Sequence, residues 1–152
     1  MSTLSELDAE VAVRSVMVAY MAACDAHDAG RVAELFDPGG RLESPAPDGM
    51  TVLQGREAVR QSYAFDTARL TFCVHFLTNE RIVTNGDRAN GQWSYFEPAT
   101  NRASLAVWTG GRYDIDFARA DGTWRFAVFR IHGVLTAPFD QGWVPTPRIA
   151  LH

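Results

Sequence analysis

Asp25 and His75 are the residues of this sequence whose types and positions best suit proton transfer. Asp25 directly follows the apolar stretch 16–24, near the C-terminal end of a predicted helix, where the helix dipole disfavours a carboxylate. Residues that break a local preference concentrate at functional sites, so Asp25 is a candidate catalytic residue. The alternative is that the helix frays and Asp25 simply faces water beside His27.

His75 stands in the middle of the run Phe72–Leu77, which is apolar on both faces and is therefore predicted to be buried. A buried imidazole needs a hydrogen-bond partner. If that partner is Asp25, the carboxylate fixes the ring tautomer and stabilises the imidazolium, and the other ring nitrogen can act as a general base. The alternative is a structural histidine that is bonded to a backbone carbonyl.

Tyr20 is a candidate proton donor for the same chemistry. It shares a helical stripe with Met17 and Cys24, and it lies about 140° around the helix from Asp25, so both can border one broad face. Its hydroxyl can polarise a substrate oxygen or protonate a leaving group. Equally, a tyrosine on a helical stripe can be a core residue.

Arg130 is a candidate for stabilising negative charge. Along the last predicted strand it alternates on one face with Phe126 and His132. If this face lines a cavity, Arg130 can offset developing charge or pair with an acid such as Glu97. In the opposite register it is a solvated charge.

The composition excludes several other kinds of chemistry. All 14 basic residues are arginine, so a Schiff base, a P-loop lysine and a lysine general base are excluded. A net charge of −4 without a basic stripe argues against nucleic acid or an anionic membrane as a partner. Asp25, His27 and Asp28 with His75 or His132 could supply metal ligands, but the sequence has no HExxH or facial-triad spacing. It also has no Gly-rich phosphate loop, and we therefore expect no metal and no cofactor.

The first part of the chain is helical in pattern. Thr3 and Glu6 predict a capping box for a helix that runs to about His27, and Asp28 is predicted to cap a short second helix that ends in the turn 37–40. Short strands are predicted over 41–44 and 51–53, and a third helix is expected to start after Gly55 and to run over 56–65.

The second part of the chain is predicted to be antiparallel sheet, because β-branched and aromatic runs alternate with turn signals. The pair Gly110-Gly111 predicts a bulge or bend. The predicted long strands are 70–83, 88–96, 102–119 and 123–135, joined by turns at 85–87, 98–101 and 120–122.

These elements predict one α+β domain, 1–152, with a core over about 5–136 and a tail over 137–152. Three N-terminal helices should pack on a strongly curved, mostly antiparallel sheet, with a ligand cavity between them. We expect the tail to cover an opening or a neighbouring subunit. Cys24 and Cys73 lie in apolar runs, and the sequence has no signal-peptide pattern, which together predict reduced thiols and a cytoplasmic protein.

Seven stretches resemble SnoaL-like proteins of the nuclear-transport-factor-2-like (NTF2-like) superfamily, whose cone-shaped α+β fold is also called cystatin-like. Tyr20, Asp25 and His75 look like the tyrosine and the Asp–His dyad of bile-acid dehydratases. Asp25 with His75 is also similar to the pair of hexachlorocyclohexane dehydrochlorinases, and scytalone dehydratase is a more distant relative. The stretches are Tyr20–Asp25, Asp28–Phe36, Gly55–Val59, His75–Asn79, Asn85–Asp87, Gly111–Asp114 and Asp121–Phe126.

The resemblance implies a cofactor-free lyase with dehydratase-like chemistry. His75 would remove a proton, Asp25 would orient the imidazole, and Tyr20 would assist the departing oxygen or the enolate. Arg130 would offset negative charge. The substrate would be a small hydrophobic polycyclic or aromatic molecule, and the relatives imply a homodimer or homotrimer. The expected substrate contacts are Met17, Cys24, Trp93, Tyr95, Trp108, Phe126 and His132.

Two alternatives stay open at this point. A ketone isomerase or polyketide cyclase can use the same base, and the dyad alone does not distinguish it from a dehydratase. The domain can also be a non-catalytic binder of hydrophobic ligands or an accessory subunit, because this superfamily contains many functions on one fold.

Overall fold

The computed structural model describes residues 3–46 and 48–144, in which three helices precede or interrupt a single curved sheet. All seven strands of these residues belong to that sheet, in the order β2-β1-β7-β6-β5-β3, with β4 also paired to β5. The elements are α1 (Leu4–Asp25), α2 (Ala29–Glu34), β1 (Phe36–Ala46), β2 (Gly49–Gln54), α3 (Arg56–Arg69), β3 (Leu70–Cys73), β4 (Phe76–Asn85), β5 (Arg88–Asn101), β6 (Ala106–Ala120) and β7 (Thr123–Pro138).

The helix starts predicted from local sequence are confirmed. Thr3 Oγ1 accepts a hydrogen bond from the Glu6 backbone N–H at 3.2 Å, and Glu6 Oε2 accepts one from the Thr3 N–H at 2.7 Å, which completes the capping box of α1. Asp28 caps α2 by accepting from the Arg31 N–H at 2.9 Å. These caps satisfy N–H groups that would otherwise have no partner in the first turn of each helix.

The sheet is mostly antiparallel, as predicted, with one parallel pair between β1 and β7. Because α1 packs on β4 and β7 while α3 packs on β1, β2 and β3, the helices cover one face of the sheet. The core lies between them. Its fully buried members include Val13, Met17, Phe126 and Phe129.

Three of the predicted boundaries were wrong. The segment 37–40 is not a turn that closes α2 but part of β1, where the register shifts between Phe36 and Arg41. The predicted strand 70–83 is divided into β3 and β4, and the turn expected at 98–101 falls instead at 102–105, between β5 and β6. In each case the sequence correctly indicated an irregularity in the chain. Pairing with neighbouring strands then determined whether that irregularity is a bulge, a break between strands or a turn.

The ladder between β6 and β7 contains two register shifts. The first lies between Gly110 and Gly111 and confirms the predicted bulge. The second lies between Asp116, which pairs with Val128, and Phe117, which pairs with Phe126, so that Ala127 is an extra residue in β7. An extra residue reverses the alternation of side chains that follow it.

We predict that Gly111→Ala lowers the free energy of unfolding by about 1–3 kcal/mol. An added Cβ would overlap the carbonyl oxygen of His132 and lie 3.0 Å from the Cα of Gly133, and backbone atoms cannot move aside as a flexible side chain can. Urea unfolding of the variant measures the loss. The matched control is Gly39→Ala in β1, where an added Cβ meets no atom within 4 Å. Equal losses in the two variants would contradict the steric explanation.

The predicted tail is described as far as residue 144, and residues 145–152 lie outside the described part of the chain. Its beginning, 137–138, continues β7, and the Phe139 ring then lies 5.3 Å from the Trp108 ring. Within the described ranges, no helix combines the length and the apolar character that crossing a membrane requires.

Candidate functional site

A cavity of about 450 Å³ opens between α1, α3 and the inner face of the sheet. This volume lies within the usual range of small-molecule sites, about 300–1,000 Å³. Aromatic and aliphatic side chains form much of the wall, and a few titratable groups interrupt it. Those groups on the wall are Cys24, Asp66, Arg69, Cys73, His75, Glu97 and Arg102, together with the tyrosines Tyr20, Tyr63, Tyr95 and Tyr113.

The structure brings Asp25 and His75 into direct contact. Asp25 is the last residue of α1, and His75 lies at the break between β3 and β4. Asp25 Oδ1 accepts from the His75 backbone N–H at 3.1 Å and lies 2.7 Å from His75 Nδ1. The His75 side chain is 9% exposed and the Asp25 side chain 31%. The contact at Nδ1 orients the imidazole ring, and the backbone N–H holds the same carboxylate oxygen in place.

A second carboxylate lies on the other side of the ring. Glu97 Oε2 is 3.5 Å from His75 Nε2, and it also accepts a hydrogen bond from Thr109 Oγ1 at 3.0 Å. An imidazolium formed at His75 would therefore face a carboxyl group at each nitrogen. Glu97 was considered in the sequence only as a partner for Arg130. Trp93 and Glu97 are an even number of residues apart on β5, so the alternation of side chains along the strand puts both on its inner face. This spacing is the sequence feature that could have identified Glu97.

Tyr20 is one member of a pair of phenols. Its hydroxyl lies 2.6 Å from that of Tyr63 on α3, and either oxygen can be the donor. The Tyr20 ring makes T-shaped contacts with Tyr113, Phe126 and Phe129. The sequence gives Tyr63 no predicted role, because only the fold brings α1 and α3 together.

Burial raises the pKa of Tyr20, Tyr63 and Tyr113 well above the usual value near 10. The reason is desolvation, since a phenolate would lose its hydration inside the protein. All three hydroxyls therefore stay protonated at physiological pH. They can donate hydrogen bonds to an oxygen that gains negative charge.

We predict that stability falls as the pH rises above about 10, because the unfolded chain then releases phenolic protons that the folded protein retains. Absorbance titration should detect Tyr20, Tyr63 and Tyr113, three of the four tyrosines, as tyrosinates only when the protein unfolds. Circular dichroism measured on the same samples reports unfolding. Ionisation of all four tyrosines in the folded protein would contradict the prediction.

The two cysteines are buried and free. Burial raises the pKa of the Cys73 thiol to about 12 and that of Cys24 further still. Both thiols are therefore protonated at neutral pH and are poor nucleophiles. Cys73 Sγ lies 3.5 Å from His27 Nε2 and 3.7 Å from the Cys24 carbonyl oxygen. Asp25, Cys73 and His75 are also the residues that could hold a metal ion, since one ligand atom of each lies within 4.8 Å of the others.

Arg130 does not lie with the dyad. Its Nη2 donates to Asp116 Oδ2 at 2.8 Å, and its Nε is 3.7 Å from Glu43 Oε2. The bulge at Ala127 explains this position, because Ile131 then lines the cavity and Arg130 points to the opposite face of β7. The expected cavity-facing register is therefore wrong.

The predicted substrate contacts are divided in the same way. Cys24 and Tyr95 line the cavity. Met17, Trp93 and Phe126 are core residues with at most 2% exposure and are not part of the wall. The other two also lie away from the described lining: Trp108 stacks on Phe96, and His132 follows Ile131 on the far side of β7.

Residues 5–130 match the SnoaL-like domain family. Comparison with curated proteins finds no match. Solved structures with the same fold include LinA, with a TM-score of 0.80, 18% identity, and coverage of 88% of this chain and 90% of that one.

Two further solved structures come from Novosphingobium aromaticivorans. One is provisionally assigned as a scytalone dehydratase (TM-score 0.79, 19% identity, covering 88% of this chain and 89% of that one). The other is provisionally assigned as an aromatic ring hydroxylase (TM-score 0.79, 19% identity, 93% and 98%). At such identities the likeness establishes the α+β NTF2-like fold and leaves the activity open. The chain belongs to the SnoaL-like domain family.

Proposed function

We propose that the protein is a cofactor-free lyase that removes water from a small hydrophobic substrate, with Asp25 and His75 as its general-base dyad. The observation that carries this proposal is the 2.7 Å contact between Asp25 Oδ1 and His75 Nδ1 at the wall of a cavity of about 450 Å³. A carboxylate in this position accepts from Nδ1–H, so the lone pair of the neutral ring resides on Nε2. Nε2 is thus the atom that accepts a substrate proton.

The proposed reaction begins with transfer of a proton from an acidic C–H bond to His75 Nε2. The electron pair of that bond forms the new C=C bond as the neighbouring C–O bond breaks. The hydroxyl departs with the electron pair of the C–O bond and receives a proton, so that water and an alkene are the products. Asp25 and Glu97 stabilise the imidazolium while it exists, because they lie at its two nitrogens.

The pair of phenols is the proton donor in this scheme: one phenol gives its proton to the departing hydroxyl, and the proton taken up by His75 restores that phenol before the next turnover. One hydroxyl of Tyr20 and Tyr63 donates to the other, which leaves the second O–H free to donate to a substrate oxygen. Their protonated state at physiological pH supports this role. Arg130 was predicted from the sequence to offset negative charge, and it has no part in the scheme. The arginines on the cavity wall are Arg69 and Arg102.

The wall also supports an aromatic or polycyclic substrate. The Tyr95 and Tyr113 rings are stacked with centroids 4.3 Å apart and an interplanar angle of 7°. Both residues line the cavity and contribute flat, polarisable surface to it. The predicted homodimer or homotrimer stays a prediction.

Ketone isomerisation is the second candidate, and the phenol pair is the observation that favours it. A hydroxyl that donates to a carbonyl oxygen makes the adjacent C–H more acidic, and the same His75 can then return the proton to another carbon. This reaction needs no leaving group. Polyketide cyclisation can use the same base and enolate.

The test is a panel of β-hydroxy ketones and ketones with aromatic or polycyclic bodies, incubated with the protein in D₂O. Mass spectrometry should find an alkene product that has lost one water. A product of unchanged composition that carries solvent deuterium would instead favour isomerisation. Compounds that raise the melting temperature without product or deuterium uptake would contradict both reactions and favour the hydrophobic-ligand binder.

A further inference from the structure

Three potential metal ligands, Asp25, Cys73 and His75, converge where α1 ends and β3 ends, and His27 adjoins them through Cys73. These four residues are hereafter the four-ligand cluster. Cys73 Sγ is 3.5 Å from His27 Nε2, and Asp25 Oδ1 is 2.7 Å from His75 Nδ1. One ligand atom each of Asp25, Cys73 and His75 lies within 4.8 Å of the others. We propose that the four-ligand cluster binds one soft divalent cation of the zinc and cadmium type.

The local fold is what brings these side chains together. His27 follows the end of α1 in the left-handed region, with φ of 56°. Its backbone N–H donates to the Cys24 carbonyl at 2.9 Å, and that of Asp28 donates to Ala23 at 2.9 Å, so the turn is held by the end of the helix. This turn therefore places the His27 ring beside Cys73 at the end of β3.

Two of the distances within the cluster are close to those of tetrahedral coordination. Zinc bonds of about 2.0–2.1 Å to nitrogen and 2.3 Å to sulfur put tetrahedral S and N ligands about 3.6 Å apart. The Cys73 and His27 atoms already have a separation of 3.5 Å. Asp25 and His75, now 2.7 Å apart, need to separate by about 0.7 Å. Asp25 is the last residue of α1 and His75 lies between β3 and β4, so a shift of this size does not disturb the interior of a helix or strand.

The donor set also selects the kind of ion. One thiolate, two imidazoles and one carboxylate are ligands that zinc accepts, whereas magnesium and calcium prefer oxygen ligands. Glu97 Oε2, at 3.5 Å from His75 Nε2, adds negative charge beside the cluster without being a ligand. Binding would release the thiol proton of Cys73 to solvent.

A cation in this position would disable the proposed dyad. It would replace the proton between Asp25 Oδ1 and His75 Nδ1, so that the carboxylate could no longer support an imidazolium. Inhibition by zinc is therefore expected, and this consequence rests on the proposed function. Binding of the ion does not rest on it and is measured without substrate.

The experiment is a titration of the reduced full-length protein with Cd²⁺, because a cadmium–thiolate bond produces a charge-transfer absorption band in the ultraviolet. We expect the band to saturate at one Cd²⁺ per chain and to disappear in Cys73→Ser. His27→Ala should weaken the affinity at least about tenfold. The matched controls are Cys24→Ser and His132→Ala, which should retain the band and the affinity.

The proposal is overturned if the wild type gives no band, if the band survives in Cys73→Ser, or if His27→Ala binds as tightly as the wild type. Circular dichroism verifies that each variant is folded. Should Cys73→Ser fail to fold, His27→Ala decides the question alone, since His27 lies at a partly exposed turn. A negative result would leave the lyase proposal standing, because that proposal is tested by turnover.

Discussion

Replacing His75 by alanine is expected to lower kcat/KM for the proposed elimination by about 10²–10⁴-fold, the usual contribution of a positioned general base. The loss should appear mainly in kcat, since the imidazole acts on the C–H bond in the transition state while the apolar wall provides most of the binding. Steady-state kinetics on a substrate identified in the panel measures both constants.

Asp25→Asn tests the other half of the dyad. The amide oxygen can still accept from Nδ1–H, but a neutral group does not stabilise the imidazolium, so we expect a loss of at least about tenfold in kcat. The variant keeps the hydrogen bond that orients the His75 ring and removes the negative charge of Asp25, so it measures the effect of the charge alone. A decrease in kcat at unchanged KM would agree with a role in the transition state.

Matched variants distinguish these effects from general damage. His132→Ala removes a histidine that lies away from the described cavity lining, and Asp8→Asn neutralises a carboxylate elsewhere on α1. Both should retain full turnover and the wild-type melting temperature. Turnover that survives His75→Ala and Asp25→Asn, with both proteins folded, would contradict the mechanism.

Features that depend on nearby residues could be predicted from the sequence. The capping box of Thr3 and Glu6 and the Asp28 cap each involve residues three apart in the chain, so the sequence alone defines them. The contact between Asp25 and His75 spans 50 residues. It was predictable because Asp25 directly follows an apolar run and His75 interrupts another, and because the family resemblance pairs the two residues.

Features that depend on strand pairing could not be predicted in the same way. Strict alternation puts Phe126 and Arg130 on one face, and the inserted Ala127 separates them. The sequence around the insertion contains no glycine or proline to mark it. Glu97 and Tyr63 were missed as site residues for a related reason, since their partners come from other elements of the fold.

Phe126→Ala is expected to lower the free energy of unfolding by about 3–5 kcal/mol, a large part of the total for a domain of this size. Phe126 is fully buried, and its ring lies 5.0 Å from Phe36, 5.3 Å from Phe117 and 5.0 Å from Phe129. Removal of the ring leaves a cavity that these rigid aromatic neighbours cannot close. Urea unfolding with a shared m-value measures the change.

The control is Phe65→Ala on α3, whose side chain is 63% exposed and which should cost less than about 1 kcal/mol. Phe126 also makes a T-shaped contact with Tyr20, with the ring centroids 5.6 Å apart, so it supports the phenol pair from the core and does not touch substrate. In the folded fraction of Phe126→Ala, the loss should therefore appear in kcat more than in KM. Equal destabilisation by the two variants would contradict the position of Phe126 in the core.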